Sequence, residues 1–434
     1  MNINTISAQG SERLYFLDWL RILAFSILML EHCAEIFVTW GFWIKNSEVS
    51  VPLSYFVAFF KPWRMPLLFL VSGAAVSMAF KRKTSLTFIK ERSLRLLIPL
   101  LFAMISIIPL QIYFIKAYHG DIQDPRAFLL LLFTFKWFPA GNFHWLHLWY
   151  LAYILTFTIA FIPVLKILKT NKGRIFTDKL LFLVCKPYLL FSICLLMAIP
   201  YYFLEKRDAL SQAAFYFPYF VVGTLFGFSR KLSESFARYA SLALLLALGS
   251  TILLYYYSVD AGRTQPYFLS LAPIKTIPIY LLKTFSTWFW IISILGYGYR
   301  FLNWNSGVLR YSSQAVYPFY ILHQTVIVSI GFFVIQLRGS IFYKLSLITV
   351  LSIGLMMLVY EFIIRRTVIT RLLFGLKATA NKTPAFISSN DDNTGAPLER
   401  EVVRVGPDLP ETLLPGRSAA MNLQSKINHL HPEN

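Results

Sequence analysis

The chain has 434 residues, of which 57% are hydrophobic, 17% aromatic and only 14% charged, and its mean hydropathy is +0.58. A soluble domain needs about a quarter of its residues charged to cover its surface. The composition therefore excludes a soluble protein, a disordered chain and a disulfide-rich secreted module. The net charge is +20, but the basic residues lie between apolar segments rather than on a polar domain, so no nucleic-acid partner is expected.

Apolar runs of about 20 residues, the length that crosses a bilayer as a helix, define the predicted elements. In chain order they predict an all-α polytopic membrane protein with about ten transmembrane helices, at 14–39, 63–80, 94–117, 147–167, 180–204, 213–229, 240–257, 277–299, 314–337 and 341–363. The shorter apolar segment 126–138 is interpreted as an interfacial or re-entrant piece.

Loop charges predict the orientation of these helices. When the N-terminus is placed in the cytoplasm, the cytoplasmic loops contain most of the Lys and Arg residues, in agreement with the positive-inside rule. An even number of spans then returns the C-terminus to the same side. The sequence thus predicts a cytoplasmic N-terminus at 1–13, a transmembrane domain at 14–377 and a disordered cytoplasmic tail at 378–434.

The first predicted helix contains the ionisable residues Asp18, Arg21, Glu31, His32 and Glu35. Such residues are costly inside a bilayer, where they pair or have a function. Arg21 and His32 lie on one face of the helix, about 16 Å apart along its axis, and Asp18 can pair with Arg21. His32 is a candidate general base because imidazole accepts a proton near neutral pH. The alternative is a histidine that a neighbouring helix satisfies.

Arg92 and Arg95 lie three positions apart at the predicted start of the third helix. Two guanidinium groups on one face, close to a helix N-terminus, suit a phosphate or pyrophosphate ligand. Positive-inside anchoring with snorkelling side chains is an equally good explanation from composition alone.

Polar and aromatic residues at the predicted outer ends of the helices form a second candidate site. Arg64, His147, Trp149 and Tyr150 are candidates for binding a sugar, although an interfacial aromatic belt is the alternative. His323, after Pro318 in the ninth predicted helix, is a second polar wall or a substitute base. No metal is expected, because no clear third ligand accompanies the nearby histidines.

Five short patterns occur in order along the predicted helices: Arg21 with His32 eleven positions on; Trp63-Arg64 followed by Ser72-Gly73; Arg92-x-x-Arg95; His147-Leu-Trp149-Tyr150; and Tyr317-Pro-Phe-Tyr320-Ile-Leu-His323. Together they resemble the acyltransferase-3 family of membrane O-acyltransferases, and within it the branch that modifies glucans. The resemblance extends over about residues 13–377. Each pattern alone is weakly specific, whereas five in the same order are a strong match.

The resemblance implies an enzyme of the bacterial inner membrane that transfers an acetyl or succinyl group from cytoplasmic acyl-CoA, a co-substrate rather than a bound cofactor, to a carbohydrate hydroxyl. It assigns Arg21 and His32 to the pair required for activity, and Arg92 and Arg95 to the donor. The mechanistic hypothesis has Arg21 assist with the donor phosphates and His32 act as general base.

Two questions stay open at this point. Glu31 or Asp18 is expected to orient His32, and a covalent acyl-histidine is the alternative to base catalysis. The competing class of function is a membrane transporter or flippase that uses the buried His, Arg and Asp as a proton or substrate relay. Transporters usually show internal repeats and broken helices, and the sequence shows no convincing repeat.

Overall fold

The computed structural model describes residues 14–121, 126, 128, 135–203, 209–260 and 277–377. Within these ranges the chain is helical, and its only β-type pairing is an isolated bridge between Trp137 and Phe143. The predicted N-terminal segment 1–13 and tail 378–434 lie outside the described residues, as does most of the predicted re-entrant piece 126–138.

The α-helices of the described ranges, numbered in chain order, are α1 (Tyr15–Glu35), α2 (Val51–Ala58), α3 (Lys61–Lys81), α4 (Ser85–Ser106), α5 (Ile108–His119), α6 (Trp149–Lys169), α7 (Asn171–Val184), α8 (Pro187–Phe203), α9 (Ala209–Phe226), α10 (Lys231–Asp260), α11 (Ile277–Phe301), α12 (Gly307–Val334), α13 (Ile341–Val359) and α14 (Val368–Leu373). A 3₁₀ turn, Leu146–Leu148, precedes α6, and a π-helical turn, Tyr360–Ile364, follows α13.

Hydroxyl side chains and a glycine fix several helix ends. The side chain of Thr84 accepts a hydrogen bond from the backbone N–H of Thr87 before α4, and Ser306 accepts one from Leu309 before α12. Each bond satisfies a donor that the first helical turn leaves without a partner. Helix α5 ends at Gly120, whose φ of 79° is the left-handed conformation that glycine adopts without strain.

Within the described residues, six helical segments are long and apolar enough to cross a membrane, namely Val51–Lys81, Ser85–His119, Leu146–Lys169, Lys231–Tyr257, Gly307–Val334 and Ile341–Ile364. The pair Asn171–Val184 and Pro187–Ala198 makes a seventh if it is one broken span, since it bends by 99°. The protein is thus a multi-pass membrane protein. The number of ten spans and the side of both termini stay predictions.

Two predicted helices differ from those in the structure, and the second difference concerns two predicted site residues. The predicted span 180–204 is wrong as a single helix, because the chain turns sharply just before Pro187. The predicted span 94–117 starts earlier, at Ser85, and is interrupted at Ile107. Arg92 and Arg95 therefore lie well inside α4 and not at its N-terminus. The helix dipole acts within the first turn, so it does not support the predicted anion site at these arginines.

Helix α1 lies among α3, α11, α12 and α13, and α3 crosses α9 at very short range. A Cβ atom on Gly73 would lie 2.0 Å from the carbonyl oxygen of Phe220, and one on Gly223 would lie 1.9 Å from that of Leu70. Only glycine fits at these two positions. The crossing of α3 and α9 supports the helix that contributes Arg64 to the site.

Candidate active site

A cavity of about 530 Å³ lies between α1, α3, α6 and α12. This volume is usual for a small-molecule site. The cavity brings together five residues that the sequence selected from four separate helical segments: His32, Arg64, His147, Trp149 and His323. Their convergence on one volume makes it the candidate active site.

His32 lies in the last turn of α1 and is oriented by a carboxylate one turn further along the chain. Its Nδ1 is 2.7 Å from Oε2 of Glu35. A carboxylate only accepts hydrogen bonds, so Nδ1 holds the proton of the neutral ring and Nε2 keeps its lone pair. Glu35 is also 2.5 Å from Nζ of Lys61. This arrangement is a base with an orienting group behind it.

The expectation that Glu31 orients His32 is not met by the contacts. The Glu31 carboxylate contacts Nη1 of Arg64 and lies 3.8 Å from Nζ of Lys61. Glu31 is 4% exposed and Arg64 is 6% exposed, so α1 and α3 are joined by a buried ion pair. Asp18 is also not near His32 along the helix, but its predicted pairing with Arg21 is confirmed at 3.1 Å.

His323 and His147 form a histidine cluster with His32. The rings of His32 and His323 are stacked with centroids 5.3 Å apart, and His147 meets His323 edge-on at 5.0 Å. Both added rings are fixed by the main chain: Nδ1 of His323 is 2.7 Å from the carbonyl oxygen of Tyr320, and Nε2 of His147 is 3.1 Å from that of Ile321. Helix α12 supplies both carbonyl groups.

Aromatic side chains form much of the cavity wall. Phe42 and Trp43 come from the loop after α1, Trp149 from the start of α6 and Tyr320 from α12. Flat aromatic faces of this kind suit the apolar face of a sugar ring, and Gln324 adds an amide to the wall.

The loop that holds Phe42 and Trp43 is attached to the rest of the bundle by polar contacts. Nζ of the buried Lys344 is 2.9 Å from Oδ1 of Asn46 and 3.1 Å from the carbonyl oxygen of Ile335. A second lysine, Lys45, donates to the carbonyl oxygens of Glu35 and Val38. Partial burial lowers the pKa of Lys45 from 10.5 to about 8.

Three predicted donor-binding residues lie together away from this cavity. Nη2 of Arg21 is 3.5 Å from the carbonyl oxygen of Ser313, and the hydroxyl of Tyr317 donates to the carbonyl oxygen of Arg95 at 3.0 Å. Nη2 of Arg92 is 3.4 Å from the carbonyl oxygen of Ala75. We call Arg21, Arg92 and Arg95 the arginine cluster.

The separation between the arginine cluster and the cavity can be measured along three helices, which give similar values. On α1 the two levels are marked by Arg21 and His32, on α3 by Ala75 and Arg64, and on α12 by Ser313 and His323. Each pair is ten or eleven residues apart, which is about 15–16 Å of helix rise. The two groups therefore lie at different depths of the bundle.

Tyr150 is the one predicted acceptor-site residue that does not line the cavity. Its hydroxyl is 2.5 Å from that of Ser72 and 3.3 Å from the carbonyl oxygen of Leu68, on the part of α3 between Arg64 and Ala75. Its ring also packs against Tyr320. Tyr150 therefore lies between the two groups.

Sequence reasoning did not select four of the charged, polar and aromatic residues of the wall, namely Glu35, Phe42, Trp43 and Gln324. Glu35 had a usable signal, since it lies three positions after His32 on the same helical face. Phe42 and Trp43 had none, because a loop has no periodicity that tells which way a side chain points. Among the described residues, no three His, Cys, Asp or Glu side chains are grouped as ligands for a metal ion.

A family model described as an acyltransferase domain matches residues 14–365, which is most of the chain. The chain belongs to the acyltransferase-3 family. It is 23% identical over 407 residues to glucans biosynthesis protein C of Escherichia coli strain 536, an alignment that covers 88% of this chain and 100% of that relative. The same-named proteins of Escherichia coli strains E24377A and K12 are 22% identical with the same coverage. No solved structure matches the chain.

Family membership makes this protein a membrane acyltransferase and confirms the resemblance drawn from the five patterns. Within the acyltransferase-3 domain, all five patterns contribute side chains to the cavity or to the arginine cluster, four of them through His32, Arg64, Arg95 and His323. The fifth supplies His147 and Trp149 to the cavity wall. The patterns are therefore parts of one three-dimensional arrangement.

Proposed function

We propose that this protein is an O-acyltransferase of the bacterial inner membrane, which moves an acetyl or succinyl group from cytoplasmic acyl-CoA to a hydroxyl of a cell-envelope carbohydrate. The observation that supports it most directly is the 2.7 Å contact between His32 and Glu35 in the wall of a cavity of small-molecule size. Family membership supports acyl transfer, and the name of the Escherichia coli relatives supports a glucan acceptor.

On the donor side, the arginine cluster binds the phosphates of acyl-CoA. Arg92 and Arg95 project from neighbouring turns of α4, and Arg21 adds a third guanidinium group that is partly neutralised by Asp18. Forked guanidinium groups bind phosphate through paired hydrogen bonds. In the proposed orientation this cluster lies on the cytoplasmic side, together with both termini and the tail 378–434, while 14–377 forms the membrane domain.

The pantetheine arm spans the distance between the cluster and the cavity, so that the thioester lies beside His32. Nε2 of His32 takes the proton of the acceptor hydroxyl as its oxygen attacks the thioester carbonyl. The carbon–sulfur bond then breaks, and the imidazolium returns the proton to the leaving thiolate. Glu35 stabilises the imidazolium and keeps the ring in the required tautomer.

On the acceptor side, the cavity wall of Arg64, His147, Trp149 and His323 binds the carbohydrate, with Tyr150 between this wall and the donor. The aromatic faces exclude water from the thioester, which disfavours its hydrolysis. Arg64 contributes through its ion pair with Glu31 rather than as an isolated cation.

Donor binding tests the proposal directly. Purified protein in detergent is titrated with acetyl-CoA and succinyl-CoA by calorimetry, for the wild type and for His32→Ala. We expect binding in both proteins and radiolabelled acyl transfer to a glucan only in the wild type. If neither donor binds to well-folded protein, the proposal is overturned and the transporter interpretation is favoured. Acylated protein formed from the donor alone would instead indicate an acyl-histidine.

A further inference from the structure

Two buried ring nitrogens of the cavity wall take no part in the proposed proton transfer. They are Nδ1 of His147 and Nε2 of His323, and neither has a hydrogen-bond partner among the described residues. His147 is 7% exposed and His323 is 0% exposed. Buried polar atoms are almost always hydrogen-bonded, so two orphan nitrogens in one wall require an explanation.

The main chain determines what these atoms can do. His323 uses Nδ1 and His147 uses Nε2 on backbone carbonyl oxygens, and a carbonyl oxygen only accepts. The ring proton of each neutral histidine is therefore on the bonded nitrogen. The other nitrogen of each ring is left as a pure acceptor, and a third acceptor, Nε2 of His32, faces the same cavity.

Among the described wall atoms without a hydrogen-bond partner, these two ring nitrogens are acceptors, while Nε and Nη1 of Arg64 are donors and Nη1 contacts Glu31. The two acceptors select a ligand with several hydrogen-bond donors, and a hydroxyl group can also accept from Arg64. The hydroxyl groups of a sugar are such donors, because each has a proton to give. His147 and His323 are 5.0 Å apart between ring centroids, so their acceptors serve neighbouring groups of one ligand. Because the ring of His323 stacks on that of His32, the two acceptor nitrogens lie beside the hydroxyl that His32 deprotonates.

We propose that His147 and His323 are specificity-determining residues, which accept hydrogen bonds from hydroxyl groups adjacent to the one that is acylated. The acceptor substrate is then a polyol with contiguous hydroxyl groups, such as a glucose unit, and not a simple alcohol. This inference rests on the proposed function, since it specifies which carbohydrate hydroxyl groups that function needs.

The burial of both nitrogens determines the size of the effect. A substrate that lacks the adjacent hydroxyl leaves a buried acceptor unpaired, and the cost of that unpaired group slows its reaction. The loss of one such hydrogen bond corresponds to about a ten- to hundredfold lower kcat/KM. This decrease in kcat/KM is expected only in proteins that retain the histidine.

The test combines substrate and protein changes. Methyl β-glucoside and its single-deoxy analogues are assayed as acceptors, with acetyl-CoA and succinyl-CoA as donors, for the wild type and for His323→Phe and His147→Phe. In the wild type, we expect at least one deoxy analogue to react about ten- to hundredfold more slowly than the parent sugar. In the matching phenylalanine variant, the parent and that analogue should react equally.

The control variant is His119→Phe, the same substitution at an exposed histidine outside the cavity wall, which should keep the wild-type ratio. A structural role of the histidines would slow all acceptors alike, and an unchanged ratio in both variants would overturn the inference. If the variants fail to fold, the wild type alone decides, since equal rates with every deoxy analogue contradict it. Absence of any transfer to the parent sugar by the wild type would instead overturn the proposed function, and this inference with it.

Discussion

At the scale of single residues, the position of Glu35 explains why a histidine at bilayer depth is useful rather than only costly. The carboxylate is held by Lys61 at 2.5 Å and in turn holds Nδ1 of His32. A histidine with such a partner has a defined tautomer before any substrate arrives. The proposed base is therefore preorganised by residues that touch no reacting atom.

Glu35→Gln should lower kcat by about 10²–10⁴-fold, because the amide no longer stabilises the imidazolium. Donor binding should stay at the wild-type level, since the arginine cluster is distant. Steady-state kinetics and calorimetry with acetyl-CoA measure both quantities. Glu48→Gln, a change at an exposed carboxylate in the following loop, is the control. Wild-type kcat in Glu35→Gln would remove Glu35 as the orienting group.

The buried Glu31 and Arg64 pair gives a prediction about stability. Arg64→Leu should destabilise the fold by about 3–5 kcal/mol, because the buried Glu31 loses its contacting partner and keeps only Lys61 at 3.8 Å. Adding Glu31→Leu to that variant should recover most of the loss, since two apolar residues of similar size replace an ion pair at little cost. Thermal unfolding in detergent compares the three proteins. A double variant less stable than Arg64→Leu would show that the charges themselves are needed for folding.

The lowered pKa of Lys45, in the loop after α1, predicts that the stability of the folded protein depends on pH. Its pKa is about 8 in the folded protein and about 10.5 when unfolded, so the unfolded chain binds the extra proton between these values. The free energy of unfolding should therefore rise from pH 8 to pH 10. The rise should be smaller in Lys45→Met, as measured by thermal unfolding at pH 8 and pH 10. Equal slopes in both proteins would show that Lys45 titrates normally.

At the scale of helices, the close contact of α3 and α9 at their glycines predicts an effect on stability that does not depend on the active site. Gly223→Ala places a Cβ atom 1.9 Å from the carbonyl oxygen of Leu70, so the helices must separate. We expect a loss of about 1–3 kcal/mol, as for an overpacked core. Gly249→Ala, where a Cβ would meet no atom within 4 Å, is the control and should stabilise α10 by about 0.5–1 kcal/mol. Equal melting temperatures would contradict the close crossing.

The sequence predicted the helical elements well where apolar length determined them and poorly where the chain bends. Spans such as 341–363 agree with α13 and the turn after it. The turn before Pro187 is invisible in hydropathy, because both of its arms are apolar. Helix α2 was missed because an eight-residue helix is shorter than a hydropathy window.

At the scale of the whole molecule, the separation of the arginine cluster from the cavity predicts that donor binding and chemistry can be lost independently. Arg92→Ala combined with Arg95→Ala should raise the Kd for acetyl-CoA at least tenfold, since two charge-assisted contacts to phosphate are lost. The increase should be much smaller for acetyl-dephospho-CoA, which lacks the ribose phosphate. Calorimetry with both donors decides.

The exposed Lys90 on the same helix provides the control, because Lys90→Ala removes a positive charge without touching the cluster. Its Kd should stay within about twofold of the wild-type value. Equal increases for both donors in the double variant would show that the arginine pair does not contact that phosphate.

The membership of the site could be predicted from sequence, but its connections could not. His32 and His323 were selected as ionisable residues within predicted helices, and Arg64 and His147 as residues at predicted helix ends; all four line one cavity. The prediction of which carboxylate contacts His32 was wrong. Adjacent residues on a helix point about 100° apart, whereas residues three apart share a face. Contacts between helices depend on how the helices pack, and the apolar periodicity of the sequence does not encode that packing.

The ion pair between α1 and α3 also has a consequence for how the chain enters the membrane. Helix α1 contains Asp18, Arg21, Glu31 and Glu35, and two of these carboxylates find their cations only on α3. During synthesis α1 leaves the ribosome before α3, as a segment too charged to rest stably in lipid alone. It must wait at the insertion machinery, or at the bilayer surface, until α3 has been made. The helix that contributes His32 is thus translated before α3 but cannot be stably inserted before it.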